Sequence, residues 1–144
     1  MNNYDLERFV SAQNSGYENY ERALSEMKAG RKKSHWIWYI FPQLEDLGKS
    51  RTAKFYGITD IEEARQYLAH PVLGARLKEI SEALLALDEN DPTRVMGGYP
   101  DDWKLRACMT LFAQISGEGS VFHQVLDKFF GGQQDTETLS MLKQ

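Results

Sequence analysis

Residues 34–43 read Ser-His-Trp-Ile-Trp-Tyr-Ile-Phe-Pro-Gln, and this stretch decides the fold. From His35 to Phe41 it is apolar or aromatic on every side, which is typical of a buried helix or a fully buried strand. A strand needs partners, and the rest of the chain shows no clear two-residue alternation bounded by turn residues. We therefore expect a central, aromatic-rich helix that begins near Ser34. Burial of each large side chain contributes roughly 1.5–3 kcal/mol to the stability of the fold. We therefore expect this run to lie in the middle of the core.

Outward from this stretch, apolar residues recur at the three- and four-residue spacing of amphipathic helices. Residues that can cap or open these helices are Asn3, Thr59 with Glu62, Pro71, Asp101 or Asp102, and Ser120. Gly131-Gly132 would end the helix that Ser120 opens, and a last short helix is expected over about 135–142. The sequence therefore predicts an all-α fold, with one compact domain over residues 1–144 and seven to nine short helices.

The composition excludes several classes of protein. Hydrophobic residues make up 42% and charged residues 26% of the 144 residues, as in packed domains rather than disordered chains. A net charge of −4 argues against a general nucleic-acid binder. Cys108 is the single cysteine, which excludes an intramolecular disulfide and a cysteine-based zinc site, and a buried, inert thiol is expected there.

Membrane and metal chemistry are not expected either. No apolar stretch approaches the length of a membrane span, and three scattered histidines lack the spacing of metal ligands. These features predict a cytoplasmic protein with no metal, no cofactor and no membrane partner. They do not indicate an oligomeric state.

The mild overall acidity conceals a basic segment. Residues 28–54 contain seven lysines and arginines against two carboxylates, a net charge of +5, and they surround the aromatic run. Cations beside aromatic faces are what pockets for nucleotides use. The pattern therefore predicts a local site for a small, anionic, nucleotide-like ligand.

Seven residues are predicted to bind this ligand. Lys33 and Ser34 would meet the anion at a helix start, and Trp36 or Trp38 would stack on a ring. Amide contacts and the border of the site would come from Gln13, Gln43 and Lys104. The alternatives are a solvated basic turn after a helix and aromatic side chains that only fill the core.

Two further residues are candidates for catalysis. His35 can serve as a general acid or base, because burial and neighbouring charges move the pKa of histidine. Asp102 supplies a carboxylate at a helix start. The alternatives are a core histidine bound to a backbone carbonyl, and an aspartate that caps its helix or pairs with Arg106.

Four blocks of sequence are distinctive in combination. They are Asp5-Leu6-x-Arg8-Phe9-Val10-x-Ala12-Gln13; Gly30-Arg31-Lys32-x-Ser34-His35-Trp36-Ile37-Trp38-x-Ile40-Phe41-Pro42-Gln43; His70-Pro71-x-Leu73-Gly74-x-Arg76-Leu77; and Asp102-x-Lys104-Leu105-x-x-x-Met109-Thr110-Leu111-Phe112. With these blocks the chain closely resembles an uncharacterised bacterial family of small all-helical proteins, some of which are labelled calpastatin-like. The resemblance covers almost the whole chain and implies the fold, with no agreed function.

A fainter similarity rests on Trp103, Arg106 and Met109, followed by residues 122–126. These residues resemble the Trp-Arg-Met helix of the NADAR group, whereas the amino-terminal block departs from that pattern. NADAR proteins are all-helical and are associated with N-glycosidic cleavage of ADP-ribose-type and related nucleotides.

The function predicted from these observations is binding of a nucleotide or ADP-ribose-type ligand, with N-glycosidic hydrolysis as the reaction to test first. In that reaction Asp102 would steady an oxocarbenium-like centre or activate water, and His35 or Lys33 would assist the leaving group. The alternative function is a non-catalytic module whose basic-aromatic surface binds an acidic protein.

Overall fold

The computed structural model describes residues 4–143, and these residues form ten α-helices. In chain order the helices are α1 Glu7–Asn14, α2 Tyr20–Lys28, α3 Ile37–Ile40, α4 Arg51–Phe55, α5 Ile61–Ala69, α6 Leu73–Leu85, α7 Pro92–Met96, α8 Asp101–Ala113, α9 Val121–Phe130 and α10 Thr136–Leu142. The all-α prediction is confirmed. There are more helices than the seven to nine predicted, because α3, α4 and α7 have only four or five residues and show no periodic stripe in the sequence.

Helix α8 is the most deeply buried of these helices. Eight of its thirteen residues are buried, and all eight lie between Leu105 and Ala113. It packs against α9, α7, α10, α5 and α3, which cover it on several sides. Cys108 is buried on this helix, as predicted, and burial raises the pKa of its thiol well above the ordinary value.

The aromatic run lies in the core, as predicted, but its helix starts later than expected. Helix α3 covers Ile37–Ile40, and Trp36 before it has a non-helical φ of −135°. The buried members of the run are Trp36, Ile37, Ile40 and Phe41. The helix starts late because the backbone N–H groups of Lys33 and Ser34 bind a side-chain acceptor in an irregular loop.

That acceptor is the carboxylate of Glu26 on α2. Its Oε1 accepts from the backbone N–H of Lys33 at 2.8 Å, the backbone N–H of Ser34 at 3.0 Å and the indole Nε1–H of Trp36 at 2.8 Å. Its Oε2 accepts from the Ser34 hydroxyl at 2.6 Å and lies 3.9 Å from Nη1 of Arg22. Glu26 is only 7% exposed, so these bonds attach the loop before α3 firmly to α2.

Two opposing effects set the pKa of Glu26. Burial disfavours the charged carboxylate and by itself would raise the pKa. The hydrogen bonds from Ser34, Lys33 and Trp36 favour the charged form and prevail, so the pKa falls from 4.5 to about 2. Glu26 is therefore ionised at neutral pH, and its hydrogen bonds are charge-assisted.

The chain after α3 is held by a close approach of two backbone segments. The Ile58 N–H donates to the Gln43 carbonyl at 2.8 Å, and the Glu45 N–H donates to the Ile58 carbonyl at 2.8 Å. Gly57 permits this approach, because a Cβ at that position would lie 2.3 Å from Cα of Glu45. A 3₁₀ turn, Glu45–Leu47, follows, and together these features fix the position of Gln43.

Some helix caps match the predicted residues. Ser120 caps α9, which ends at Gly131 with a φ of 61°, as predicted. Helix α5 is capped by Asp60 rather than by Thr59, because Oδ1 of Asp60 accepts a hydrogen bond from the Glu63 N–H. The side chain of the buried Glu63, and not that of Glu62, accepts a hydrogen bond from the Thr59 N–H.

Other caps differ from the prediction. Helix α6 starts at Leu73 rather than at Pro71, and Nδ1 of His70 accepts from the N–H groups of Val72 and Leu73. Pro100 takes the cap position of α8, so that Asp101 and Asp102 both lie in the first turn. Asn3 lies outside the described residues.

We expect the Glu26→Gln substitution to destabilise the fold and to remove part of its acid sensitivity. A carboxyl whose pKa is lowered from 4.5 to about 2 contributes stability above pH 4.5 that is lost as the pH falls toward 2. This contribution is on the order of 3 kcal/mol in the wild type and should be missing in the variant. Urea unfolding at a series of pH values between about 7 and about 2.5 measures it.

The matched control is Glu21→Gln, which changes an exposed carboxylate on the same helix. Its free energy of unfolding should stay within about 0.5 kcal/mol of the wild type at each pH. The same acid dependence in Glu26→Gln and in the wild type would contradict the assignment.

The Gly57→Ala substitution should push the 43–45 segment away from residues 57–58. Overpacking of this kind costs about 1–3 kcal/mol, which thermal denaturation measures as a lower Tm. Gly117→Ala serves as the control, because a Cβ at Gly117 meets nothing within 4 Å. Equal Tm values for the two variants would show that the close approach is not required.

Candidate functional site

A cleft of about 430 Å³ opens between the segment after α3, helix α4 and the start of α8. Three parts of the chain line it, and the lining residues are Gln43, Leu47, Gly48, Lys49, Ser50 and Ala53; Tyr99, Pro100, Trp103 and Lys104; and Glu137. The volume lies within the range of about 300–1,000 Å³ that is usual for small-molecule sites, as do the volumes of other pockets of the structure. This cleft is the candidate site because Gln43 and Lys104, two of the residues predicted to bind a ligand, line it.

A small chamber adjoins the cleft, and we call it the Trp38 chamber. Gln43, Ala53 and Lys104 line both spaces, while Ile37, Trp38, Phe41 and Tyr56 complete the wall of the chamber. The free volume of the chamber is about 10 Å³. A space of this size holds about one atom the size of a water oxygen.

Two of the residues that line the chamber each have a buried polar atom with no hydrogen-bond partner among residues 4–143. These atoms are Nε1 of Trp38 and Oε1 of Gln43. Gln43 as a whole is only 7% exposed. Leaving a buried donor or acceptor unpaired costs about 1–3 kcal/mol, so native proteins seldom do so without a reason.

Lys104 adds a cation at the same place. Its Nζ lies 5.4 Å from the centroid of the Trp38 ring, and its side chain is 16% exposed. Oδ1 of Asp101 is 3.9 Å from Nζ of Lys104, whereas Oδ2 of Asp101 is 2.7 Å from Nζ of Lys32. Because Asp101 pairs more closely with Lys32, it compensates the charge of Lys104 incompletely.

The Lys32–Asp101 ion pair also joins the basic segment to α8. Nζ of Lys32 donates to the Ser34 carbonyl at 2.5 Å, and the Lys32 backbone N–H donates to the Val95 carbonyl at 2.7 Å. The segment before α3 is therefore fixed to the first turn of α8. This attachment explains how Trp38 and Lys104, far apart in the sequence, come to line one chamber.

Aromatic and charged side chains complete the lining of the cleft. The indole N–H of Trp103 donates to Oδ1 of Asp135 at 2.9 Å, which fixes its ring against the start of α10. Tyr99 is 81% exposed. Lys49 is exposed and adds a second cation, against the single carboxylate of Glu137. The cleft thus offers flat apolar faces and a net positive charge.

The structure brings together three of the residues predicted to bind a ligand, namely Trp38, Gln43 and Lys104. Ser34 and Trp36 instead direct their polar side-chain groups to Glu26. Lys33 is exposed, and its backbone N–H also binds Glu26. Ser34 is predicted to contact the anion of a ligand, but its hydroxyl donates instead to the carboxylate of Glu26 within the protein.

Gln13 lies in a different part of the core. Its Nε2 donates to the Tyr39 carbonyl at 2.8 Å and to the Tyr67 hydroxyl at 3.2 Å, and its Oε1 accepts from Arg76 at 3.2 Å. Both polar atoms of the Gln13 amide therefore have hydrogen-bond partners within the protein. It joins α1 to the aromatic run and to α6.

The two residues predicted to be catalytic do not line the cleft. His35 is exposed, so the alternative of a core histidine is wrong, and its backbone N–H donates to Oε2 of Glu18 at 2.5 Å. Asp102 accepts from the Thr93 hydroxyl at 2.8 Å and from the Trp103 N–H at 2.7 Å.

The alternatives considered for Asp102 are also not observed. It lies in the first turn of α8 rather than at the cap, because Pro100 takes that position. Among the described residues it forms no ion pair with Arg106, whose guanidinium lies 5.7 Å from the centroid of the Phe130 ring. The first-turn carboxylate still suits the positive end of the helix dipole.

Several residues of the site are not predicted from the sequence. Lys49, Tyr99 and Glu137 reach the cleft through tertiary packing, and no local pattern marks them. Glu26 does carry a signal, because it follows Ala23 by three residues and so falls on the buried face of α2.

Two general features of residues 4–143 bear on the function. No cluster of three or more His, Cys, Asp or Glu side chains among them is placed to hold a metal ion. None of the helices they form is long and apolar enough to cross a membrane.

Comparison with known proteins identifies the family. No curated protein gives a significant match to the chain. A solved structure that is similar to the chain is that of the conserved hypothetical protein Rv1873 from Mycobacterium tuberculosis. It is 40% identical, with a TM-score of 0.91, and the match covers 98% of each chain.

A scan against protein families matches residues 3–142 to "Protein of unknown function (DUF1810)". This match confirms the predicted resemblance to an uncharacterised family. The comparisons do not show the NADAR similarity or the calpastatin-like label. Because the match spans nearly the whole chain, the protein belongs to the DUF1810 family, whose function is unknown.

Proposed function

We propose that the cleft binds a small, flat, anionic ligand of the nucleotide type. The observation that carries the proposal is that Trp38, Gln43 and Lys104 line one chamber beside the cleft. Nε1 of Trp38 and Oε1 of Gln43 are buried without a hydrogen-bond partner among residues 4–143, and Lys104 supplies a positive charge. A ligand that pairs with these groups would remove the cost of leaving them unpaired.

The rest of the lining suits a ring and an anion. Trp103 and Tyr99 offer aromatic faces on which a flat ring can stack. Lys49 and Lys104 outnumber the one carboxylate, that of Glu137, and therefore favour a phosphate over a neutral or cationic group. Such a combination of few polar groups with apolar walls is common in small-molecule sites.

The proposal concerns binding and not catalysis. Asp102 and His35, the pair predicted to hydrolyse an N-glycosidic bond, lie outside the lining of the cleft. Cleavage of a nucleotide by this pair therefore has no support from the site described above.

The alternative function is a basic-aromatic surface that binds an acidic protein, and one of the aromatic residues of that stretch is not at the surface. Arg31, Lys33 and Lys54 are exposed, but Trp36 is completely buried. The exposed cations are typical of a solvated basic surface.

We expect mononucleotides to raise the Tm of the protein, and the Lys104→Met substitution to weaken their binding by about tenfold or more. Methionine keeps the length of the side chain and removes the charge that meets the phosphate, and bonds to charged groups contribute about 1.5–3 kcal/mol. Stabilisation follows RT ln(1+[L]/Kd), which is about 2.7 kcal/mol at a ligand concentration 100 times Kd. Thermal shift and isothermal titration with purine and pyrimidine monophosphates measure both quantities.

Lys78→Met is the matched control, because Lys78 is an exposed lysine on α6 that does not line the cleft. It should bind nucleotides as tightly as the wild type. No stabilisation of the wild type by any mononucleotide, or equal losses in both variants, would overturn the proposal. Capture of an acidic protein with no nucleotide binding would favour the docking surface instead.

A further inference from the structure

Among the described residues that line the cleft, Glu137 on α10 carries the one carboxylate. Glu137 is exposed, and its carboxylate takes no part in the hydrogen bonds and ion pairs formed among residues 4–143. Lys104, which lines the same cleft, pairs with Asp101 and not with Glu137. The Glu137 carboxylate is therefore an accessible acceptor that a bound ligand can use.

The fold brings this carboxylate and the ring of Trp103 to the same end of α10. The indole N–H of Trp103 donates to Oδ1 of Asp135 at 2.9 Å, and Asp135 is the cap residue of α10. Glu137 lies in the first turn of the same helix, and both Trp103 and Glu137 line the cleft. A ligand whose ring stacks on Trp103 therefore meets Glu137 with another of its groups.

The chemistry of a carboxylate decides which group of a nucleotide this is. Its oxygens accept hydrogen bonds and donate none, and its negative charge repels a phosphate, which Lys49 and Lys104 attract. The sugar lies between the base and the phosphate, and its hydroxyl groups are donors. A ribose 2′-hydroxyl donates to an aspartate or glutamate in the same way in dinucleotide-binding folds.

We infer that Glu137 binds the hydroxyl groups of a ribose, so that the cleft selects ribonucleotides over 2′-deoxyribonucleotides. The inference rests on the proposed function and adds to it the class of sugar. In this arrangement the base stacks on Trp103, the sugar hydroxyls meet Glu137 and the phosphate lies toward Lys49 and Lys104. Each contact uses a different part of the ligand, so the contacts do not compete.

Two matched pairs of nucleotides test the inference. Adenosine 5′-monophosphate and its 2′-deoxy form differ only in one hydroxyl, and so do uridine 5′-monophosphate and its 2′-deoxy form. Isothermal titration of the full chain should give a Kd for the ribose member that is lower by about three- to tenfold in each pair that binds, which is the contribution of one hydrogen bond.

Two substitutions of Glu137 assign this selectivity to its oxygens. Glu137→Met removes both acceptors at similar side-chain length, and should bring the ratio of the two Kd values close to one without weakening binding of the deoxy member. Glu137→Gln keeps one acceptor oxygen and removes the charge. It should retain part of the selectivity, and the deoxy member should bind more tightly than to the wild type, because its phosphate is no longer repelled.

Two other variants should keep the ratio unchanged. Glu118→Met removes an exposed carboxylate that does not line the cleft, and both Kd values should stay as in the wild type. Lys104→Met should weaken binding of both members of a pair equally, because they carry the same phosphate.

The outcomes separate the inference from the proposed function. Equal Kd values within each pair, with weaker binding in Lys104→Met, would overturn the inference and leave the proposed function standing. A preference for ribose that persists in Glu137→Met, shown by circular dichroism to be folded, would also overturn the inference, because the hydroxyl would then bind elsewhere. Absence of binding by all four nucleotides would overturn both.

Discussion

The buried carboxylate of Glu26 is the interaction on which the amino-terminal half of the site depends. It accepts hydrogen bonds from Lys33, Ser34 and Trp36, and so binds the loop before α3 to α2. An apolar side chain at this position would leave these buried donors without an acceptor, at about 1–3 kcal/mol for each. Because the bonds are directional, the carboxylate also orients Trp36 and determines where α3 begins.

The position of α3 gives the two tryptophans of the aromatic run different roles. Trp36 lies just before the first residue of α3 and has a non-helical φ of −135°, whereas Trp38 lies within the helix. Trp36 donates to Glu26 on α2, and Trp38 lines the chamber beside Lys104. The Lys32–Asp101 ion pair adds the second attachment, because it fixes the same segment to α8. The cleft lies where these attachments bring α3 and α8 together.

The sequence predicts the features that depend on local pattern. The helical stripes, the Ser120 cap and the burial of the aromatic run follow from spacing and side-chain chemistry, and the structure has them. The sequence predicts less well which partner a polar side chain contacts, because that depends on packing. Ser34 and Trp36 are predicted from the sequence to contact a ligand, whereas in the structure both donate hydrogen bonds to Glu26 on the preceding helix. Lys49 and Glu137 reach the cleft from distant segments with no motif.

The indole N–H signals of the three tryptophans offer the most direct test of the proposal that the Trp38 indole N–H binds a ligand. Trp36 donates to Glu26 and Trp103 donates to Asp135, whereas Nε1 of Trp38 has no partner among the described residues. In a ¹H–¹⁵N titration with a purine or pyrimidine monophosphate, the Trp38 indole signal should move downfield and saturate, while the Trp36 signal stays in place. A Trp38 signal that does not move at saturating nucleotide, or a shift of Trp36 in its place, would contradict the account.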